Sequence, residues 1–211
     1  MYIKSTNISE PKTILWQNKE VSTGIFKIPT QNPIYLGKQG VNNDFIADKK
    51  VHGGTFKACY LFSADHYPYW KTLYPDLDWN WGMFGENLTV NGMNETQMMV
   101  GDIYKIGEAS VQVTQPREPC FKFGAKFGSQ NILKQFIDHG FPGTYVSVIE
   151  EGLVRTKDKL TLVDRLEESL TVAELYNLIF SKVKSQNLLN IAVSLNILPE
   201  RKREKLKQFI V

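Results

Sequence analysis

The chain contains 211 residues, of which 42% are hydrophobic and 22% charged. These values are typical of a globular protein and leave room for one good-sized domain, or for one domain with a small appendage. No apolar run reaches the roughly eighteen residues that a membrane helix needs. The first residues, Met1-Tyr2-Ile3-Lys4, do not begin the apolar core of a secretion signal. We therefore expect a cytoplasmic protein without a membrane partner.

The net charge of the chain is +3, and the excess of cations lies in residues 153–211, where eleven Lys and Arg accompany seven Asp and Glu. No continuous basic stripe is present, so we do not expect a nucleic-acid partner. The two cysteines, Cys59 and Cys120, are too few for a disulfide framework. In a reducing compartment both should remain thiols.

Short strands separated by turn signals dominate the first 165 residues. Asn91-Gly92 is a strong tight-turn signal, and Gly107-Glu108 predicts a hairpin between the strands on either side of it. Many short strands with regular turns favour a mainly β domain, either a barrel or a sandwich. The predicted strands cover residues 24–29, 58–62, 88–90, 102–106, 109–113, 144–149 and 159–163.

Two helices are predicted to interrupt these strands. Ser63 can cap the first, which carries Tyr67, Trp70 and Tyr74. Ser129 can cap the second, which carries apolar residues at helical spacing and can end at Gly140. His66 and His139 fall within these helices, and we interpret both as structural residues.

After Asp164 the hydrophobic period changes to that of a helix. Thr171 and Glu174 form a capping box, Asn187 can cap a second helix, and Pro199 fits the first turn of a third. We therefore divide the chain into a β domain, residues 1–165, and a three-helix unit, residues 166–211. So small a unit has little core of its own. We therefore expect the three helices to dock on the β domain or on a second subunit, as in a homodimer.

Cys120 lies in the segment Gln115-Pro116-Arg117-Glu118-Pro119-Cys120-Phe121-Lys122. The two prolines stiffen this turn, and the neighbouring cations favour a thiolate, the form that binds metals and attacks electrophiles. We interpret Cys120 as the functional thiol, although burial is the commonest fate of a free cysteine. Cys59 lies in an apolar run, which favours packing.

Two further segments carry candidate site residues. In Lys49-Lys50-Val51-His52-Gly53-Gly54, the glycines can bring the backbone close to an anion and His52 can donate to it. The alternative is an ordinary glycine turn. In Phe84-Gly85-Glu86-Asn87, two polar residues follow a loop rich in aromatic residues that can wall a pocket or merely cover the domain.

Cysteine pairs that bind zinc, a helical His-Glu-x-x-His motif and a Gly-x-Ser-x-Gly elbow do not occur in the sequence. A single thiolate without other soft ligands is a poor metal site by itself. If Cys120 binds a metal, a cofactor must therefore supply the remaining ligands.

Four motifs together resemble the MOSC domain, named for the C-terminal domain of molybdenum-cofactor sulfurase. They are Val51-His52-Gly53-Gly54, Phe84-Gly85-Glu86-Asn87-Leu88-Thr89, Val100-Gly101-Asp102 and Gln115-Pro116-Arg117-Glu118-Pro119-Cys120. The order and combination are similar to the bacterial YiiM-type subfamily, in which a three-helix unit follows the barrel. The chain departs from that pattern at Thr156-Lys157-Asp158, where relatives tend to have a Gly-Asp turn.

The resemblance implies a MOSC-type β-barrel in which Cys120 is the molybdenum ligand and a molybdopterin supplies the other sulfur ligands. It also implies that Cys120, His52 and Glu86 form the catalytic set, in which Glu86 handles a proton or orients a group. The six residues that it implies as cofactor contacts are His52, Gly53, Gly54, Asn87, Arg117 and Lys122.

The implied activity is reduction of N-hydroxylated small molecules such as hydroxylamines, amidoximes and N-hydroxy base analogues. No flavin or nicotinamide fingerprint occurs, so a separate reductase is expected to supply electrons. The basic residues 201–205 could dock that partner, or form a solvated helix face. Two alternatives remain open: a metal-free sulfur carrier that holds a persulfide on Cys120, and a module that stores or delivers the cofactor.

Overall fold

The computed structural model describes residues 1–48 and 53–211, so the predictions made for Lys49, Lys50, Val51 and His52 lie outside the described residues. The strands are β1 Tyr2–Ile8, β2 Lys12–Trp16, β3 Lys19–Thr23, β4 Ile28–Thr30, β5 Ile34–Gly37, β6 Gly40–Val41, β7 Cys59–Ser63, β8 Leu88–Asn91, β9 Ile103–Ile106, β10 Ala109–Pro116, β11 Thr144–Glu150, β12 Gly152–Val154 and β13 Leu160–Asp164. The α-helices are α1 Tyr67–Leu73, α2 Phe121–Phe127, α3 Asn131–His139, α4 Val172–Phe180, α5 Gln186–Ser194 and α6 Glu200–Lys207.

Eight strands form one sheet in the order β13-β9-β10-β11-β7-β8-β1-β4. Strands β9 and β10 form the predicted hairpin, with Ile106 opposite Ala109. Strands β7 and β8 pair in parallel, because the chain between them returns through α1. A three-stranded sheet, β12-β5-β6, and a hairpin of β2 and β3 complete the β structure of the described residues.

The predicted barrel is corrected by the structure: over residues 1–48 and 53–211 the strand pairing does not close. Strand β1 pairs with β8 from Tyr2 to Thr6 and with β4 from Thr6 to Ile8. The start of β13 and the chain before it meet the other edge of β1 through hydrogen bonds of Ile3 with the backbone of Lys157 and Asp158 and of Leu160 with Met1, but this contact does not continue along β1 as strand pairing. Lys157 has a φ of 75° there, a left-handed conformation that a glycine adopts more readily.

Several local predictions are confirmed and others need correction. Gly140 ends α3 with a φ of 80°, as predicted. Ser63 accepts from the Asp65 backbone, but it caps the 3₁₀ turn Ala64–His66, and His66 is the N-cap residue of α1. Gln130, and not Ser129, is the N-cap residue of α3, and Ser185 caps α5 in place of Asn187. In the described residues, no helix is both long and apolar enough to span a bilayer.

Three apolar clusters hold these elements together. One packs the large sheet against the three-stranded sheet, with residues such as Ile3, Leu36 and Val113. A second is aromatic and packs α1, α2 and α3 against β7 through residues such as Phe62 and Phe84. The third joins α4, α5 and α6 to Val100, so the three helices pack on the β region.

The start of the helical segment is fixed by polar contacts. Thr171 and Glu174 form the predicted capping box at the start of α4. Just before it, Arg165 donates twice to the buried Asp102 carboxylate, at 2.8 and 2.7 Å. Asp102 also accepts from the Met99 backbone at 2.9 Å. The Val100-Gly101-Asp102 motif therefore anchors the helical segment, and it lies apart from the pocket described below.

Candidate functional site

A pocket of about 90 Å³ opens beside the turn that follows β10. Its wall is formed by several chain segments that are far apart in sequence. Its lining residues are Thr23, Gly24, Ile25, Lys27, Asp44, Phe45, Ile46, Ala47, Lys57, Tyr60, Gly85, Asn87, Arg117, Glu118, Cys120, Lys122 and Tyr145.

Cys120 lies on the wall of this pocket, between the end of β10 and the first residue of α2. Its backbone is extended (φ −132°, ψ 169°), and its carbonyl accepts from the Phe123 backbone at 2.8 Å. Because Phe123 and Phe127 are buried in the aromatic cluster, α2 is fixed and the thiol is held at one place. Cys120 is partly exposed, whereas Cys59 is buried and its thiol pKa is raised by burial. The predicted packing role of Cys59 is confirmed.

Arg117 presents a buried guanidinium to the same wall. The guanidinium carbon lies 4.5 Å from the centre of the Phe123 ring and 5.2 Å from that of Tyr60. One of its N–H groups donates to the Phe84 carbonyl. Stacking and this hydrogen bond hold the planar fork in a fixed orientation, and its other N–H groups can serve an anion.

The floor of the pocket is a polar network around Asp44. Lys27 donates to the Asp44 carboxylate at 2.5 Å, and the Asn87 amide donates to it at 2.9 Å. The Asn87 amide oxygen accepts from the Tyr60 backbone at 3.2 Å. Asn87 therefore lines the pocket, as predicted for a cofactor contact, but protein groups already use both ends of its amide.

Glu86 lies behind the pocket and is not one of its lining residues. Its carboxylate is buried and accepts from Tyr67 Oη at 2.5 Å, from Thr89 Oγ1 at 2.7 Å, and from two backbone groups of the loop before it. Burial raises the pKa of the Tyr67 hydroxyl well above its ordinary value, and the Glu86 carboxylate raises it further. This placement favours a structural role for Glu86, and the catalytic role that the resemblance implies stays a prediction.

The remaining predicted residues take different places. Lys122 lines the pocket and donates to the Ser22 carbonyl at 3.0 Å. Gly53 and Gly54 are not among the lining residues, and Gly54 precedes a 3₁₀ turn with a φ of 82°. His52 lies outside the described residues.

Sequence patterns alone missed several pocket residues. Lys57 lines the pocket and its ammonium lies 5.3 Å from the centre of the Tyr145 ring. Burial lowers the pKa of Lys57, and Lys202 lowers it further. For Lys27, the available signal was its position within the apolar segment Ile25-Phe26-Lys27-Ile28, where a charged side chain is unusual.

The donor chemistry of this pocket fits the implied cofactor. Across the described residues no group of three or more His, Cys, Asp or Glu could hold a metal ion. The pocket offers one soft ligand, Cys120, together with the cationic side chains of Arg117, Lys57 and Lys122. A group that brings its own sulfur ligands and carries an anionic substituent matches this set, because thiolates select soft metals and guanidinium matches phosphate.

Comparison with known proteins places the chain in a domain family. Residues 48–161 match the MOSC domain. YflK of Bacillus subtilis (strain 168) is 37% identical over 170 residues, which cover 81% of this chain and 76% of YflK. YiiM of Escherichia coli (strain K12) is 36% identical over 154 residues, covering 72% of this chain and 68% of that protein.

Two further similarities bear on structure and function. The crystal structure of YiiM from Geobacillus stearothermophilus superposes with a TM-score of 0.83 at 31% identity, covering 100% of this chain and 99% of that one. A protein named reductase from Gibberella moniliformis is 33% identical over 174 residues, which cover 81% of this chain but 31% of the fungal protein. The chain therefore belongs to the MOSC domain family, and within that family it is of the YiiM type.

Proposed function

We propose that this chain is a molybdenum-cofactor-dependent oxidoreductase that reduces N-hydroxylated small molecules, with Cys120 as the protein ligand to molybdenum. The observation that carries the proposal is the position of Cys120 on a pocket wall next to Arg117, with Lys57 and Lys122 also lining the pocket. Membership of the MOSC family and similarity to a protein named reductase support the same reading.

Each pocket residue has a distinct task in this proposal. Cys120 supplies the thiolate, and the fixed start of α2 keeps that sulfur at one position. Arg117 and Lys122 bind the anionic part of the cofactor, while the network of Asp44, Lys27 and Asn87 keeps the floor in shape. When bound, the cofactor supplies the two-electron centre for conversion of N–OH to N–H, which consumes two protons and releases water.

Electrons must come from outside the part of the protein that forms this pocket. The sequence has no flavin or nicotinamide fingerprint. The similar fungal reductase is much longer than the region it shares with this chain, because the match covers 31% of it. We therefore propose that a separate reductase donates the electrons.

Two alternative functions would use the same pocket. A sulfur carrier would hold a persulfide on Cys120 without metal, and needs only an accessible thiol. A storage or delivery module would bind the cofactor without turnover. The partial exposure of Cys120 suits all three functions, so experiments on the loaded and the metal-free protein must separate them.

Turnover tests the proposal against the delivery module. Protein from a cofactor-competent host, supplied with an artificial one-electron reductant, should convert an amidoxime to an amidine and a hydroxylamine to an amine. Cys120→Ser should abolish turnover, while Cys59→Ala, which changes the other cysteine, should retain it. If cofactor-loaded protein reduces none of a broad panel of N-hydroxylated compounds, delivery is the better reading.

A second experiment tests the sulfur carrier. Metal-free protein isolated from the same host should contain no cyanide-labile sulfur if molybdenum binding is the function of Cys120. A stoichiometric cyanide-labile sulfur that disappears in Cys120→Ser would support the carrier instead. Cys59→Ala again serves as the matched control.

A further inference from the structure

The C-terminal helical segment contacts the Cys120 turn through one ion pair. Lys202, on α6, donates to Glu118 at 2.6 Å, across 84 residues of sequence. The Lys202 side chain is 12% exposed, whereas that of Glu118 is 47% exposed. Lys202 therefore does not lie on a solvated helix face, and its ammonium is engaged within the chain. The hypothesis that residues 201–205 dock a reductase stays a prediction.

Glu118 is the acidic residue nearest to Cys120 along the chain, and both line the pocket. We propose that Lys202 is a positioning residue that holds the Glu118 carboxylate against α6, and so keeps an uncompensated negative charge away from the thiol and from an anionic ligand. Lys202 does not itself line the pocket, so α6, which lies outside the MOSC-matched residues, acts on the pocket through Glu118. The inference deepens the proposed function, because it concerns which ligands the same pocket accepts.

The charges around Glu118 agree with this role. The Lys202 ammonium donates a hydrogen bond to the Glu118 carboxylate, and this contact fixes the direction of the carboxylate. If Lys202 is removed, the carboxylate loses its fixed partner and can turn toward Cys120.

Alkylation of Cys120 in metal-free protein tests the inference with two reagents of similar size, neutral iodoacetamide and anionic iodoacetate. Cys59 is buried, and Cys120→Ser should take up no label under native conditions. The informative quantity is the ratio of the iodoacetate rate constant to the iodoacetamide rate constant at low salt. A purely structural disturbance changes both rates together, whereas an added negative charge slows the anionic reagent selectively.

In Lys202→Met this ratio should fall about threefold to tenfold, as expected for one extra charge a few ångströms from the thiol. Lys202→Arg should keep the ratio of the original protein, and the double variant Glu118→Gln/Lys202→Met should restore it. Lys207→Met, an exposed change on the same helix, should leave the ratio unchanged. An unchanged ratio in Lys202→Met, or a fall that persists in the double variant, would overturn the proposal.

If Lys202→Met does not fold, the single variant Glu118→Gln still tests the proposal. Glu118→Gln removes the negative charge and keeps Lys202, so its ratio of the iodoacetate to the iodoacetamide rate constant should equal or exceed that of the original protein. A lower ratio would contradict the proposal. Because alkylation requires no molybdenum, these results stand or fall independently of whether the protein binds the cofactor.

Discussion

Lys27 donates to both carboxylate oxygens of Asp44 at the floor of the pocket that Cys120 lines. The side chains of Lys27 and Asp44 are 7% and 1% exposed, so this ion pair is almost entirely removed from water. Asp44 also accepts from the Ser9 backbone at 2.9 Å and from the Asn87 amide. The Asp44 carboxylate thus links three parts of the chain next to the pocket: the end of β1, the segment after β3 and the loop before β8.

Asp44→Asn should destabilise the fold strongly, because it leaves the buried Lys27 without its carboxylate while keeping the shape of the side chain. Breaking a buried pair by removing one partner typically costs about 3–5 kcal/mol. Urea denaturation of both proteins measures the difference in the free energy of unfolding.

Two further variants sharpen that measurement. The double change Asp44→Asn/Lys27→Met removes both charges and should recover most of the loss. Asp76→Asn makes the same substitution at an exposed position and should alter the free energy of unfolding by less than about 0.5 kcal/mol. A small effect of Asp44→Asn would mean that the pair does not organise the pocket floor.

Lys126, on α2, predicts a pH dependence of stability. Its ammonium donates to the carbonyls of Ile25 at 3.0 Å and Gly82 at 2.7 Å. Burial lowers the pKa of Lys126 to about 7, although Glu86 opposes the shift. Between about pH 7 and pH 10.4 the unfolded chain therefore binds more protons at this residue than the folded chain.

The free energy of unfolding should consequently rise with pH across that window, by at most about 1.4 kcal/mol per pH unit from this residue. Below about pH 7 the residue is protonated in both states and contributes no slope. Lys126→Met should remove this component, so the difference in stability between the two proteins should be constant below pH 7 and change above it. A difference that stays constant from pH 6 to pH 9.5 would refute the assignment.

Trp16 connects the β2–β3 hairpin to the first residue of α2. Its ring stacks on Phe121, with centroids 4.8 Å apart and an interplanar angle of 27°. The hairpin ends at Thr23, which lines the pocket together with Gly24 and Ile25, the two residues that follow it. Trp16→Ala should therefore weaken cofactor binding more than it weakens the fold, since such a stack contributes about 0.5–1.5 kcal/mol beyond its buried area.

Cofactor retention and thermal unfolding, measured side by side on Trp16→Ala, test this expectation. Leu15→Ala is a suitable control, because Leu15 lies on the same strand and is 71% exposed. Equal losses of cofactor in both variants would show that the stack does not support the pocket.

Local sequence rules predicted the elements in which neighbouring residues decide the structure. The capping box of Thr171 and Glu174 and the hairpin at Gly107 involve residues at most a few positions apart. The predicted strand over residues 24–29 forms only at its end, from Ile28. Gly24 lies so close to the backbone of Phe45 that a Cβ atom would be 1.8 Å from its carbonyl oxygen, and this contact cannot be read from a local pattern.

Helix α2, which fixes Cys120, was not predicted, because it too depends on contacts between residues that are distant in sequence. Its sequence, Phe-Lys-Phe-Gly-Ala-Lys-Phe, contains a glycine and lacks a continuous apolar face. The helix depends on tertiary contacts of Phe123 and Phe127 with the aromatic cluster. The contacts of Glu86 likewise depend on a residue distant in sequence, because Tyr67 donates to its carboxylate.

The residues of the pocket divide in the same way into those with a local sequence signal and those without one. Cys120 was found because prolines and charges surround it in the sequence, and the role of Arg117 was implied by the resemblance to the MOSC domain; both residues line the pocket. Lys57 and Lys202 were missed, because their relation to Cys120 and Glu118 exists only after the chain has folded.

The molybdenum content of purified protein tests the central claim most directly. Protein from a molybdenum-replete, cofactor-competent host should contain about one molybdenum per chain, since one thiolate and one pocket define the site. Cys120→Ser should lose that metal while keeping the unfolding temperature of the original protein, and Cys59→Ala should retain the metal. Molybdenum that is absent from the original protein, or that persists in Cys120→Ser, would contradict the account.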